Sequence, residues 1–114
     1  MDILCGDFAE TEKYASENTL FYLDPPYKPL SDTSSFTSYS KGGFDDIEQV
    51  RLGDFCIRIS QLKSQFIVSN SYNIDFFKNI YLNFKMNIIK CARRINCNKN
   101  KRGLINEIVI TNVL

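Results

Sequence analysis

The stretch Thr19-Leu20-Phe21-Tyr22-Leu23-Asp24-Pro25-Pro26-Tyr27 constrains this chain more than any other. Residues 19–23 are rich in aromatic and branched side chains and read as a short buried strand. An acid and two prolines must end that strand. A proline has no N–H, fixes φ, and drives the residue before it away from helical geometry. Asp24-Pro25-Pro26-Tyr27 is therefore expected to be a stiff, extended loop at the carboxyl end of the strand, where open α/β sheets bind ligands. It offers a carboxylate, proline carbonyls and a flat aromatic ring, parts that suit a planar ring bearing an amine. On the tetrapeptide alone, a plain strand-ending turn stays open as the competing reading, because Asp-Pro pairs commonly start turns.

The rest of the chain narrows the choice. Its 114 residues are enough for one small domain with a modest core, and 44% hydrophobic content is that of a globular protein. No apolar run approaches the length needed to cross a bilayer, and no basic-plus-apolar leader opens the sequence, so neither membrane insertion nor secretion is expected. The 4 cysteines form no C-x-x-C pair and there is no histidine, which argues against a metal site and excludes Ser-His or Cys-His catalysis within these residues. Scattered cysteines of this kind suit a reducing, cytoplasmic setting. The net charge of +1 hides an asymmetry: acids dominate residues 1–54, bases dominate residues 55–114, and a basic cluster lies between Lys90 and Arg102. Such a cluster is a candidate phosphate-binding surface, with a merely solvated hairpin tip as the alternative.

In chain order, Asp2-Ile3-Leu4-Cys5 reads as a strand ending at Gly6-Asp7-Phe8, and residues 9–17 as a short surface helix. Residues 28–44 show no period. They are rich in Ser, Thr and Gly but carry Phe36, Tyr39 and Phe44, which a plain linker does not need, so they read as a loop that orders over a substrate. Asp45-Asp46-Ile47-Glu48 has the capping-box pattern and opens a helix to about Leu62, with Leu52, Phe55, Cys56, Ile59 and Leu62 as its apolar stripe. A strand at 65–70, a helix at 75–82, a strand at 84–91, a loop at 95–103 and a last strand at 104–111 follow. Strands alternating with helices imply an α/β fold: a partial Rossmann-like sheet, mainly parallel, closed by a terminal antiparallel hairpin.

Several segments together resemble one family. Leu23-Asp24-Pro25-Pro26-Tyr27, Pro29-Leu30-Ser31, Phe36-Thr37-Ser38-Tyr39, Phe44 and Gln49-Val50-Arg51-Leu52 are similar to the Dam-type (D12 class) adenine-N6 DNA methyltransferases. Val68-Ser69-Asn70-Ser71, Arg102-Gly103 and Asn106-Glu107-Ile108-Val109-Ile110-Thr111-Asn112 agree, as does Gly6-Asp7-Phe8 upstream. The resemblance spans nearly the whole chain, and the Asp-Pro-Pro-Tyr loop combined with Phe-Thr-x-Tyr is its most specific part.

The resemblance implies transfer of a methyl group from S-adenosylmethionine to adenine N6 in double-stranded DNA, with the target base flipped out of the helix. Asp24 and Pro25 would each accept one N6–H, Tyr27 would stack on the base, and Asp24 or a water would take the released proton. Asp7 and Phe8 would face the cofactor's adenine, and Asp24 its methionine end. Ser31, Thr37 and Tyr39 would close over the base or its phosphates, and Arg94, Lys99, Lys101 and Arg102 would hold the DNA backbone. The family's Phe-x-Gly-x-Gly cofactor loop and target-recognition region do not occur in these residues, and Gly42-Gly43 is no substitute because it follows a loop. The resemblance thus implies a carboxyl-terminal portion of a catalytic domain over residues 1–114, inactive alone, which pairs with a missing amino-terminal half or self-associates through an open sheet edge. GATC recognition is implied by resemblance only. The alternatives are a non-catalytic remnant that binds DNA or dimerises through its exposed sheet edge, or an amino-methyltransferase acting on RNA or protein. Asp24 in place of Asn and the Phe-Thr-Ser-Tyr loop disfavour the latter.

Overall fold

A computed structural model describes residues 2–30, 44–93 and 103–113 of the chain. A 3₁₀ helix at Phe8–Tyr14 precedes strand β1 (Leu20–Leu23), helix α1 (Asp46–Gln61), strand β2 (Gln65–Ser71), helix α2 (Ile74–Ile80) and the strands β3 (Lys85–Arg93) and β4 (Gly103–Thr111). The fold is α/β with one mixed sheet, in the order β1-β2-β4-β3. β1 and β2 are parallel, with Leu23 opposite Val68. β4 runs antiparallel to both of its neighbours, placing Asn70 opposite Ile108 and Ile88 opposite Ile108.

The expected hairpin of the last two strands is present. The expectation of a mainly parallel sheet needs correcting at the level of pairing. β1, β2 and β3 share a direction, but β4 sits between β2 and β3, so only β1 and β2 pair in parallel. β4 pairs with β3 along its whole length, from Arg93 opposite Gly103 to Lys85 opposite Thr111, and satisfies β2 on its other edge.

Other expectations also shift. Residues 2–5 form no strand; Ile3 and Leu4 are exposed, with no strand beside them among the described residues. Their backbone lacks the ladder that would hold an extended segment. The surface helix is a 3₁₀ helix that begins one residue after Asp7, whose carboxylate accepts from the Ala9 N–H at 3.0 Å. β1 is only half buried: Phe21 points into the core, while Leu20 and Tyr22 on either side are exposed.

The core is built from alternate strand residues and one stripe of α1. Phe21, Phe66, Val68, Ile108 and Ile110 meet Leu52, Phe55, Cys56 and Ile59, with Phe77 and Tyr81 closing one end. Leu62 does not join the stripe; it is the C-cap and is exposed. The capping box forms by half. Asp45 accepts from the Glu48 N–H at 3.0 Å, but the Glu48 carboxylate turns to Arg51 instead of back to the cap. Gly53 lets α2 approach α1, because a Cβ there would lie 2.2 Å from Ile80 Cγ2. Burial pushes the Cys56 thiol up to about 12 and raises the neighbouring Tyr81 phenol, so both stay neutral in the core. Among the described residues no helix is long and apolar enough to cross a membrane.

α1 ends by a left-handed turn at Lys63, with φ of 66° and the Ser64 N–H donating back to the Ile59 carbonyl at 3.0 Å. A side chain in that conformation costs roughly 1 kcal/mol that glycine avoids. Lys63→Gly is therefore expected to raise stability by about 0.5–1 kcal/mol in urea unfolding. A loss of stability would contradict the assigned turn.

Candidate active site at the carboxyl end of the first strand

Asp24 continues the alternation of β1 and leaves the sheet on the face away from the helices. Residues 25–29 then bend across the carboxyl end of β2. That path explains why β2 ends in three consecutive polar residues, Ser69, Asn70 and Ser71, of 9%, 0% and 6% exposure. Successive strand residues point to opposite faces, so a loop wrapped over the strand end receives contacts from both. Ser69 Oγ donates to Asp24 Oδ1 at 3.2 Å, and Ser71 Oγ donates to the Lys28 carbonyl at 2.6 Å. From the other face, Asn70 Oδ1 accepts from the Lys28 N–H at 2.9 Å, and Gln49 Nε2 of α1 donates to the Pro26 carbonyl at 3.0 Å. Farther along, Asn73 Nδ2 reaches the Pro29 carbonyl at 3.4 Å.

The loop has no sheet ladder, so side chains do the work of one. Net stabilisation per bond is only about 1 kcal/mol, but leaving a buried partner unmade costs about 1–3 kcal/mol. The arrangement is thus close to all-or-none. Lys28 pins it from above, with Nζ 2.7 Å from Asp46 Oδ1 and 4.4 Å from the centre of the Phe76 ring.

The Asp24 side chain is exposed, its Oδ1 oriented by Ser69. No side chain among the described residues donates to the Pro25 carbonyl. Tyr27 is half-buried, and its hydroxyl donates to Glu107 Oε2 of β4 at 2.8 Å. Burial first, then the nearby Glu107 and Asp24 charges, hold the Tyr27 phenol above its ordinary range, so it remains a donor.

Asp24 and Pro25 line a cleft of about 680 Å³ shared with Asp7, Phe8, Phe44 and Arg51. Arg51 lies 4.3 Å over the Phe8 ring, grips both carboxylate oxygens of Asp7, and bonds Glu48 Oε2 at 2.8 Å. The Arg51 guanidinium, followed by the Ala9 N–H, holds the Asp7 carboxyl below the usual range. Phe8 packs edge-on against Phe55 at 5.3 Å and lies 6.3 Å from Phe44. Asp45 and Glu48 also line this space, so its walls carry more acid than base.

The structure therefore gathers Asp7, Phe8, Asp24 and Pro25 around one cleft, with Tyr27 anchored beside Asp24. Ser31, Thr37, Tyr39, Arg94, Lys99, Lys101 and Arg102 lie outside the described residues. The sequence reading assigned no role to Ser69, Asn70, Ser71, Gln49, Arg51 or Glu107. A signal was present for two of them. Gln49 falls three residues before Leu52 on the buried side of α1, and Asn70 follows Phe66 and Val68 on the core side of β2. A polar residue on an apolar stripe demands a partner.

An acid and two prolines thus stand at the carboxyl end of a parallel strand of an α/β fold, beside an acidic cleft. Residues 1–95 match the D12 class N6 adenine-specific DNA methyltransferases, and the chain belongs to that family. It is 44% identical over 111 residues to the type II methyltransferase M.MjaIII of Methanocaldococcus jannaschii, covering 96% of this chain and 38% of that protein. It is 37% identical over 110 residues to the type II methyltransferase M1.LlaDCHI of Lactococcus lactis, covering 96% of this chain and 38% of that protein. A DNA adenine methylase of Haemophilus influenzae is 32% identical over 106 residues, covering 93% of this chain and 37% of that protein. The chain spans a little over a third of the length of these relatives.

The Asp7–Arg51 pairing gives a direct check. Arg51→Met is expected to return the Asp7 carboxyl toward its ordinary range in a carboxyl-carbon NMR titration. An unmoved Asp7 titration would show that the pair does not form.

Proposed function

We propose that this chain supplies the base-amine-holding wall of an enzyme that methylates adenine N6 in double-stranded DNA. The observation that carries the reading is the exposed Asp24 carboxylate next to Pro25, both lining one cleft, on a loop fixed from both faces of β2. An adenine amine is a weak nucleophile because its lone pair is delocalised into the ring. Two acceptors, one for each N6–H, hold the nitrogen pyramidal and free its lone pair. They also stabilise the positive charge that develops on it. Ser69 keeps Asp24 oriented, and Asp24 takes the released proton or passes it to water. Tyr27, tethered through Glu107, offers its ring to the flipped base.

The methyl donor of this reading is S-adenosylmethionine, which carries an electrophilic methyl on a cationic sulfonium. The cleft's surplus of carboxylates fits a cation, and Phe8 and Phe44 offer aromatic surface for an adenine. Asp7 faces that cleft with Arg51 on both oxygens; Oδ2 also accepts from the Ala9 N–H, so Oδ1 is the oxygen with a second lone-pair site for a ligand hydroxyl. In the same reading Ser31, Thr37 and Tyr39 close over the base, and Arg94, Lys99, Lys101 and Arg102 neutralise backbone phosphates. We place the remaining wall of the cofactor cleft on residues beyond these 114, since the Phe-x-Gly-x-Gly pattern does not occur among them. The outer edge of β1, with exposed Leu20 and Tyr22, is the surface on which that wall would sit.

The test is methyl transfer from labelled S-adenosylmethionine to adenine-containing duplex DNA, with the chain alone and co-expressed with a polypeptide that supplies the Phe-x-Gly-x-Gly segment. Transfer is expected only in the second case, and Asp24→Ala is expected to lower its kcat by roughly 10²–10³-fold. Full activity of Asp24→Ala would overturn the reading, and transfer by the chain alone would overturn the divided pocket.

A further inference from the structure

We propose that Gln49 and Asn70 form a buried carboxamide clamp that sets the position of the Asp24–Pro25 acceptors from behind. The two side chains are 1% and 0% exposed. Asn70 Nδ2 donates to Gln49 Oε1 at 3.1 Å, which joins α1 to β2. The remaining polar atoms of the pair face the loop and the strand end. Gln49 Nε2 donates to the Pro26 carbonyl at 3.0 Å, and Asn70 Oδ1 accepts from the N–H groups of Lys28 at 2.9 Å and Ser71 at 2.8 Å. Each carboxamide oxygen and nitrogen thus has a partner, and the two contacts to the loop backbone, at Pro26 and Lys28, bracket Tyr27.

The consequence is a division of labour. Ser69 orients the Asp24 carboxylate itself, whereas Gln49 and Asn70 touch neither Asp24 nor the ligand space. They fix the backbone that follows the two prolines. With residues 26 and 28 held and both prolines restricted in φ, the Pro25 carbonyl has little freedom left. The carboxamides are positioning residues, and their arrangement is directional. Gln49 needs Asn70 to occupy its oxygen, and Asn70 needs Gln49 to occupy its nitrogen. Loss of either one is expected to loosen both backbone contacts, because an unpaired buried amide turns to seek another partner.

The catalytic part of this inference rests on the methyl-transfer reading, but the clamp itself can be tested without it. In the full chain, amide hydrogen exchange by NMR reports the Lys28 N–H, which Gln49 does not touch. Gln49→Met, close in length and free of the amide, is expected to speed Lys28 exchange about tenfold while the Val68 and Ile110 amides keep their protection. Unchanged Lys28 exchange would overturn the clamp. Should Gln49→Met fail to fold, the wild-type chain decides: slowly exchanging Gln49 and Asn70 carboxamide protons with mutual cross-peaks support it, and free exchange contradicts it. In the complemented enzyme, Gln49→Met is expected to lower kcat about tenfold with KM for S-adenosylmethionine within about threefold. An unaltered kcat would refute the positioning role. Absence of transfer by the unsubstituted complemented enzyme would refute the methyl-transfer reading instead, leaving the exchange result to judge the clamp.

Discussion

Side chains hold the backbone of residues 26–29 in place, and the rest of the site depends on that substitution for a sheet ladder. Two prolines remove the N–H groups that a continuing strand would use, so β1 cannot run on beside β2. The Lys28 N–H and the carbonyls of Pro26, Lys28 and Pro29 still need partners; Asn70 and Ser71 at the polar end of β2 meet the two groups of Lys28, and Gln49 and Asn73 meet the two proline carbonyls. Because these bonds come from opposite faces of one strand, the loop cannot slide without breaking several at once. Asp24 is thereby left exposed at the start of a well-tethered loop, with Ser69 bonded to its carboxylate.

The cleft beside it has a different character. Its charged groups are exposed or half-buried, and the Arg51–Asp7–Glu48 cluster lies where water screens it. Such a cluster contributes little to stability. Its effect is local: it ties the residue before the 3₁₀ helix to α1 and sets Phe8 under Arg51 at the edge of the cleft. The acidic surplus of its walls favours a cationic ligand over an anionic one.

Much of this was legible in the sequence where local chemistry decides. The Asp-Pro-Pro-Tyr loop, the α1 stripe of Leu52, Phe55, Cys56 and Ile59, and the closing hairpin all follow from spacing and from what proline forbids. Long-range pairing was not legible. Nothing local to residues 2–5 shows whether a neighbouring strand is present, and nothing local to β4 shows that it enters between β2 and β3. The same holds within the site. Asp24 is conspicuous because of the prolines behind it, but Gln49 and Asn70 are 21 residues apart and become partners only when α1 packs on β2. Glu107 is hidden for a similar reason, since it meets Tyr27 across 80 residues of sequence.

The central claim is that the loop after β1 recognises a base through its exocyclic amine. The most direct measurement is an NMR titration of the chain with 2′-deoxyadenosine and with the matched purine nucleoside that lacks the amine. The account predicts saturable shifts at Asp24, Tyr27 and Lys28 with deoxyadenosine and a much weaker response to the amine-free purine. Equal responses to the two, or shifts confined to residues away from this loop, would contradict it.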